Sequence, residues 1–180
     1  MSFKLLFYVG VLIIAILGYR TYNTSKNALQ VGDFAPDFSL EDGAGQKRTL
    51  KEFAGHYTVL YFYPKDDTPG CTKEACLFRD DIAHLEKLGA EVVGISVDTA
   101  KSHGEFSKKH KLPFPLLADT DGKVAASYQA LNNFFIFKIA KRHTFLIDPQ
   151  GRIARIYRSV DVSKHSQQII DDLKMLESRQ

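Results

Sequence analysis

The 180-residue chain contains no tryptophan, two methionines and only two cysteines. Two cysteines make no disulfide framework, and a domain of about 150 residues buries enough core to fold without one. An excess of one charge is also missing: 24 Lys and Arg stand against 21 Asp and Glu, for a net charge of +3. The basic residues are dispersed, which argues against a nucleic-acid partner. Gly43-x-Gly45 is too short and misplaced for a nucleotide loop. C-x-x-C, internal repeats and low-complexity tracts are absent. The histidines His56, His84, His103, His110, His143 and His165 are scattered. None has zinc-site spacing from the cysteines, so neither a metal nor another cofactor is expected.

What the chain does hold begins with an apolar run, Leu5 to Leu17, with no charge between Lys4 and Arg20. As a helix, Phe3 to Tyr19 would measure about 25 Å, slightly under the roughly 30 Å hydrocarbon core. Its length and the lack of a good small-x-small cleavage site favour an uncleaved single-pass anchor over a cleaved signal peptide. Residues 1–20 are therefore expected to be a transmembrane anchor, or else a signal, with 21–30 a linker and 31–180 the domain. Such a tether implies a membrane-bound, extracytoplasmic (periplasmic) domain. Lys4 and the amino terminus against Arg20 and Lys26 leave the orientation near a tie.

Within the domain, Tyr57 to Tyr63 is an unbroken apolar and β-branched run, as expected of a strand covered on both faces. Phe34 to Leu40 predicts a short edge strand, and Thr49 a cap for a helical turn through Phe53. Pro69 to Leu88 predicts one helix, with an apolar stripe at Ala75, Phe78, Ile82, Leu85 and Leu88. Glu91 to Val97 is a second buried strand. His143 to Asp148 and Arg152 to Tyr157 form a hairpin, and Ile169, Leu173 and Leu176 mark a final amphipathic helix. Strands alternating with helices indicate an α/β sandwich with a largely covered sheet. The apolar segment Asn132 to Ala140 has two readings: packing against the core, or an exposed patch that docks on a partner, a second copy or a bilayer.

Both cysteines lie in Pro64-Lys65-Asp66-Asp67-Thr68-Pro69-Gly70-Cys71-Thr72-Lys73-Glu74-Ala75-Cys76. Cys71 stands at a helix start, where backbone amides and the dipole favour a thiolate. In an ideal helix, residues five apart have Cα atoms roughly 8.6 Å apart, from the rise and radius. A disulfide needs them below about 7 Å, so joining Cys71 to Cys76 requires the helix start to unwind. Complete ionisation of an ordinary thiol gains at most about thirtyfold at neutral pH. Fast thiol chemistry therefore needs further groups at the transition state, such as a hydroxyl and a fixed guanidinium. Thr68, on the same turn, and Arg142, before a strand, are the candidates. Their plainer roles would be a helix N-cap and a solvated surface arginine. Asp66 and Asp67 read as turn residues, and Ser96-Val-Asp98 as the start of a connection.

Pro64-x3-Thr68-x2-Cys71 resembles the peroxiredoxin active-site motif. Thr68 to Asp80 resembles the peroxiredoxin Q subfamily, also called bacterioferritin comigratory protein. Gly32-x-x-Ala35-Pro36-x-Phe38 and Arg142-x-Thr-Phe-Leu-Ile-Asp148 extend the match, which runs from about Val31 to the last helix. The resemblance implies a thioredoxin-like sandwich with a central mixed sheet and an N-terminal hairpin. It implies a thiol peroxidase acting on hydrogen peroxide and organic hydroperoxides. Cys71 would attack and become a sulfenic acid, and Cys76 would condense with it to an intramolecular disulfide. A thioredoxin or thioredoxin-like dithiol would recycle it. Thr68 and Arg142 would hold the peroxide, Pro64 would shield Cys71, and Glu74 would orient the arginine. The subfamily is often monomeric, so a monomer is expected. The rival reading is an anchored copper-binding assembly factor on a similar fold, with His143 as third ligand. Its cysteines are usually separated by three residues, whereas four separate this pair.

Overall fold

Tyr57, Val59 and Tyr61 point to one side of their strand while Leu60 and Phe62 point to the other, and all five are buried. That alternation places the strand in the middle of the structure, a computed structural model that describes residues 28–134 and 137–178. The chain runs β1 (Ser39–Asp42), β2 (Lys47–Thr49), a 3-10 turn (Leu50–Phe53) and β3 (Tyr57–Phe62). It continues through α1 (Pro69–Asp80), α2 (Ile82–Lys87), β4 (Ala90–Ser96), α3 (Ala100–His110), β5 (Leu116–Ala118) and α4 (Lys123–Ser127). Then follow β6 (Leu131–Phe134), β7 (Phe137–Ala140), β8 (His143–Ile147), β9 (Ile153–Tyr157) and α5 (His165–Glu177).

Seven strands form one mixed sheet in the order β2-β1-β5-β4-β3-β8-β9. The pairs β3–β4 and β4–β5 are parallel; the others are antiparallel, including the N-terminal β1–β2 hairpin. One face is covered by Cys71, Ala75 and Phe78 of α1, Leu85 of α2 and Ile169, Ile170 and Leu173 of α5. The other carries Phe53, Ala125 of α4 and Tyr128. Gly94 in β4 sits opposite Tyr61, and a Cβ there would lie 2.7 Å from the tyrosine ring. The glycine makes room for the aromatic cluster of Tyr61, Tyr63 and Phe78 beneath α1. This is the α/β sandwich that the element pattern predicts, in the thioredoxin-like form with an N-terminal hairpin that the resemblance implies.

Several boundaries differ from the sequence-based expectation. Phe34 makes only an isolated bridge to Arg152: the N–H groups that would extend it, those of Gly151 and Asp33, turn back to the Asp148 and Gln30 carbonyls. The single helix expected over 69–88 is broken at Asp81, whose carboxylate accepts a hydrogen bond from Ser166 Oγ of α5 at 2.5 Å. The apolar segment at 132–140 is a β6–β7 hairpin. Phe134 and Phe137 are half exposed with ring centroids 4.9 Å apart, while Ala140 is buried.

The expected transmembrane helix, and with it the membrane-bound periplasmic location, is corrected. Among the described residues, no helix is long and apolar enough to cross a membrane. The longest, α5, has 13 residues, about 20 Å, against the roughly 20 residues a span requires. The run Leu5 to Leu17 lies outside the described residues.

Candidate active site

Proline suits the first position of a helix because its missing N–H is not needed there. Pro69 starts α1 in this way, with Thr68 in extended conformation at the N-cap. The Thr68 carbonyl accepts from Thr72 N–H at 2.9 Å, but its hydroxyl caps nothing. It donates instead to the Lys65 carbonyl at 3.0 Å, within the loop that leads into the helix. Cys71 falls in the first turn and is 1% exposed. Cys76 is half-buried, and both thiols are free. Both lie in one continuous α1, so the helix holds them beyond bonding reach.

Register brings the distant arginine to this helix start. β3 and β8 run antiparallel with Phe62 opposite His143, so the C-terminal end of β3 lies beside the residue preceding β8. That residue is Arg142, 71 positions after Cys71 in the chain. Its Nη2 donates to Cys71 Sγ at 3.3 Å, and its Nη1 donates to Glu74 Oε2. Glu74 is three residues after Cys71, hence on the same helix face. Burial pushes the Glu74 carboxyl up to about 7, against the opposing pull of Arg142. Burial works against the Arg142 charge, but Glu74 and Cys71 outweigh it and hold the guanidinium protonated. The second carboxylate oxygen, Oε1, is buried with no partner.

The loop between β3 and α1 is held from below. Asp66 is buried: Oδ1 accepts from Tyr63 O–H at 2.7 Å and Oδ2 from Ser102 O–H at 2.7 Å. His103 Nδ1 lies 2.9 Å from the same Oδ2. The backbone N–H of Asp66 donates to Asp98 Oδ2, which also accepts from Ser96 O–H. Asp67 takes a left-handed φ of 56° and meets Lys109 Nζ at 2.7 Å and His110 Nε2 at 3.2 Å.

Of the residues expected from sequence, Cys71, Glu74 and Arg142 are in direct contact or on one helix face. Thr68 and the half-buried Pro64 lie on the adjoining loop, and Cys76 lies further along α1. Asp66, Asp98 and His103 are additions. An aspartate in a polar loop carries the composition of a turn, and nothing in the sequence ties it to a histidine 37 residues on. Among the described residues, no three His, Cys, Asp or Glu side chains are grouped to hold a metal ion. His143 does not join the cysteines in such a group, which removes the ligand set the copper reading requires. Its Nδ1 is buried without a partner, and burial, then Lys141 and Arg158, push its pKa down to about 4.

Comparison with known proteins bears on this geometry. The model of the AhpC/TSA family matches residues 31–156. A putative peroxiredoxin Bcp of Coxiella burnetii is 43% identical over 150 residues, covering 81% of this chain and 99% of its own. Peroxiredoxin Bcp of Bacillus subtilis is 40% identical over 156 residues, covering 81% and 96%. Among solved structures, peroxidoxin BcpB of Mycobacterium tuberculosis superposes with a TM-score of 0.78 at 33% identity, covering 82% of this chain and 97% of that one. A cysteine-to-serine mutant of Xylella fastidiosa PrxQ gives 0.77 at 31% identity, covering 83% and 98%.

Proposed function

The chain belongs to the AhpC/TSA family and is a thiol-dependent peroxidase of the peroxiredoxin Q type; from that premise we propose that Cys71 attacks the hydroperoxide and Cys76 resolves the product. The observation that carries this assignment is the guanidinium of Arg142, set 3.3 Å from Cys71 Sγ and anchored by buried Glu74. As a thiolate, Cys71 would attack the terminal peroxide oxygen while the O–O bond breaks. The sulfur becomes a sulfenic acid, and the departing alkoxide or hydroxide takes up a proton. Negative charge moves from sulfur to the leaving oxygen during this step. A fixed guanidinium is a donor suited to that transfer and needs no reorganisation, while the Thr68 hydroxyl, its proton given to the Lys65 carbonyl, offers lone pairs to the hydroperoxide O–H. Pro64, at the end of β3, would limit water at the thiol.

Cys76 would then attack the sulfenic sulfur, with water leaving and a disulfide forming. Its closure requires α1 to open. A thioredoxin-like dithiol would reduce the disulfide, becoming oxidised in turn. One chain carries both thiols and the guanidinium, so the proposed cycle needs no second subunit. A related Xanthomonas campestris protein is described by its alkyl peroxide reduction activity, which supports organic hydroperoxides beside hydrogen peroxide as substrates here.

Cys71→Ser should abolish peroxide consumption, and retained turnover would overturn the nucleophile assignment. Cys76→Ser should permit one oxidation and then stall unless an external thiol is supplied. Full cycling of that variant with thioredoxin would remove Cys76 from the mechanism.

A further inference from the structure

His103 is 0% exposed, lies in α3 and takes no part in the chemistry above. Its ring is set between two acceptors. Nε2 is 3.2 Å from the Leu117 carbonyl in β5, which can only accept, so Nε2 carries a proton. Nδ1 is 2.9 Å from Asp66 Oδ2 and 3.2 Å from the Tyr63 hydroxyl oxygen. Asp66 is itself 7% exposed. Burial raises its carboxyl, but donation from His103, Ser102 and Tyr63 outweighs this and holds it below the usual carboxylate range. An ionised carboxylate is an acceptor only, so a bare Nδ1 lone pair would face Oδ2 with no proton between them. Nδ1 therefore carries a proton as well. Lys109, the nearby lysine at the end of α3, engages Asp67 instead. Asp98, the other carboxylate at this point, is bound to the Asp66 N–H. Buried charge requires a partner, and the imidazolium supplies it for Asp66.

We propose that His103 is a positioning residue for the peroxide reaction: a buried imidazolium, it fixes the Asp66 carboxylate and so sets the Pro64–Thr68 loop that leads into Cys71. The loop's other side-chain anchors to α3 are exposed, Asp67 meeting Lys109 and His110. Asp67 takes a left-handed conformation, uncommon outside glycine though aspartate adopts it more readily than most residues, and the Thr68 hydroxyl bonds only within the loop. The Asp66 cluster ties this segment to the ends of β3 and β4, to α3 and to β5 at once. A displaced loop would carry the Thr68 hydroxyl and Pro64 away from the reacting atoms. An ångström of misplacement costs a catalytic geometry up to about a hundredfold in rate.

The proposal rests on the reading of Cys71 as the attacking thiol, and its test separates the two. In the reduced full-length protein at neutral pH, nitrogen-15 NMR should show both His103 ring nitrogens protonated. Asp66→Asn should remove the Nδ1 proton. A single protonated nitrogen in the native protein overturns the imidazolium without touching the role of Cys71. His103→Gln should slow the reaction of Cys71 with hydrogen peroxide roughly tenfold to a hundredfold. Its alkylation by iodoacetamide, which needs no peroxide pocket, should be unchanged. An unchanged peroxide rate, or equal loss in both reactions, refutes the positioning role. Ser102→Ala removes one bond to the same Asp66 oxygen and should show the same split at smaller size. It decides the matter if His103→Gln fails to fold, and an absent split in it refutes the role equally. Turnover retained by Cys71→Ser would overturn the underlying reading alone, since the NMR outcome is independent of that thiol.

Discussion

Thr68 occupies a helix N-cap without using its hydroxyl as one. That divides its two sequence-based roles by measurement. A capping threonine contributes about 1 kcal/mol of stability through its side chain. Here the hydroxyl bonds the Lys65 carbonyl, and its lone pairs stay available to a substrate. Thr68→Val should therefore leave the unfolding midpoint nearly unchanged. It should cut the second-order rate with hydrogen peroxide by up to about a hundredfold, because the oxygen that accepts from the peroxide O–H and positions it is lost. Thr68→Ser should restore most of that rate. A stability loss with an unchanged peroxide rate would return Thr68 to the capping role. Arg142 shows the converse limit of sequence reasoning. Its residue type alone favours a solvated surface arginine, and only the Phe62–His143 register places it against a thiol.

The elements were largely legible because their periodicities are strong: a doubly covered strand at 57–62, amphipathic helices at 69–80 and 165–177, and a hairpin at 143–157. Where the expectation failed, a tertiary contact overrode the local pattern. Ser166 takes the Asp81 carboxylate at the break between α1 and α2. Of the two readings of the apolar segment, core packing is the one that the exposure of Phe134 and Phe137 on the paired strands β6 and β7 departs from. α1 also carries the sharpest element-level prediction. Cys71 and Cys76 share one intact helix, and the disulfide cannot form across it. Oxidation with one equivalent of peroxide should accelerate amide exchange between Cys71 and Arg79, with a matching loss of helix signal. Arg79 Nη1 donates to the His110 carbonyl at 2.8 Å, which moors the far end of α1 to α3. Exchange should therefore fall off beyond Arg79. Equal protection in the two redox states would contradict the unwinding.

At the scale of the whole molecule, buried titratable groups set opposing pH responses. Glu74 is 1% exposed, and burial raises its carboxyl from 4.5 to about 7. Between those values the folded state keeps a proton that the unfolded chain releases, so stability falls as pH rises through that window. Burial lowers His165 from 6.5 to about 4, and His143 likewise. There the unfolded chain binds protons that the folded state refuses, so stability falls as pH drops from 6.5 towards 4. The two slopes oppose each other between 4.5 and 6.5 and flatten the native curve. Glu74→Gln should uncover the histidine limb, with urea midpoints falling more steeply below pH 6.5 than in the native protein. Parallel curves for the two proteins would sink this account.

The chain's own residues determined the class of chemistry and the two thiols proposed to carry it. Two cysteines at a five-residue separation on a helix start carry their geometry with them, because helix rise and radius are local properties. The strand run, the helix stripes and the family motif are local in the same sense. Tertiary structure alone decided which side chains surround the thiol. Glu74 and Arg142 meet through a β-register spanning the chain, and Asp66 and His103 meet where two strand ends and α3 converge. Such contacts depend on long-range pairing and on burial, which turn a polar loop into a charged cluster shielded from water, and neither is written in the spacing of residues along one segment.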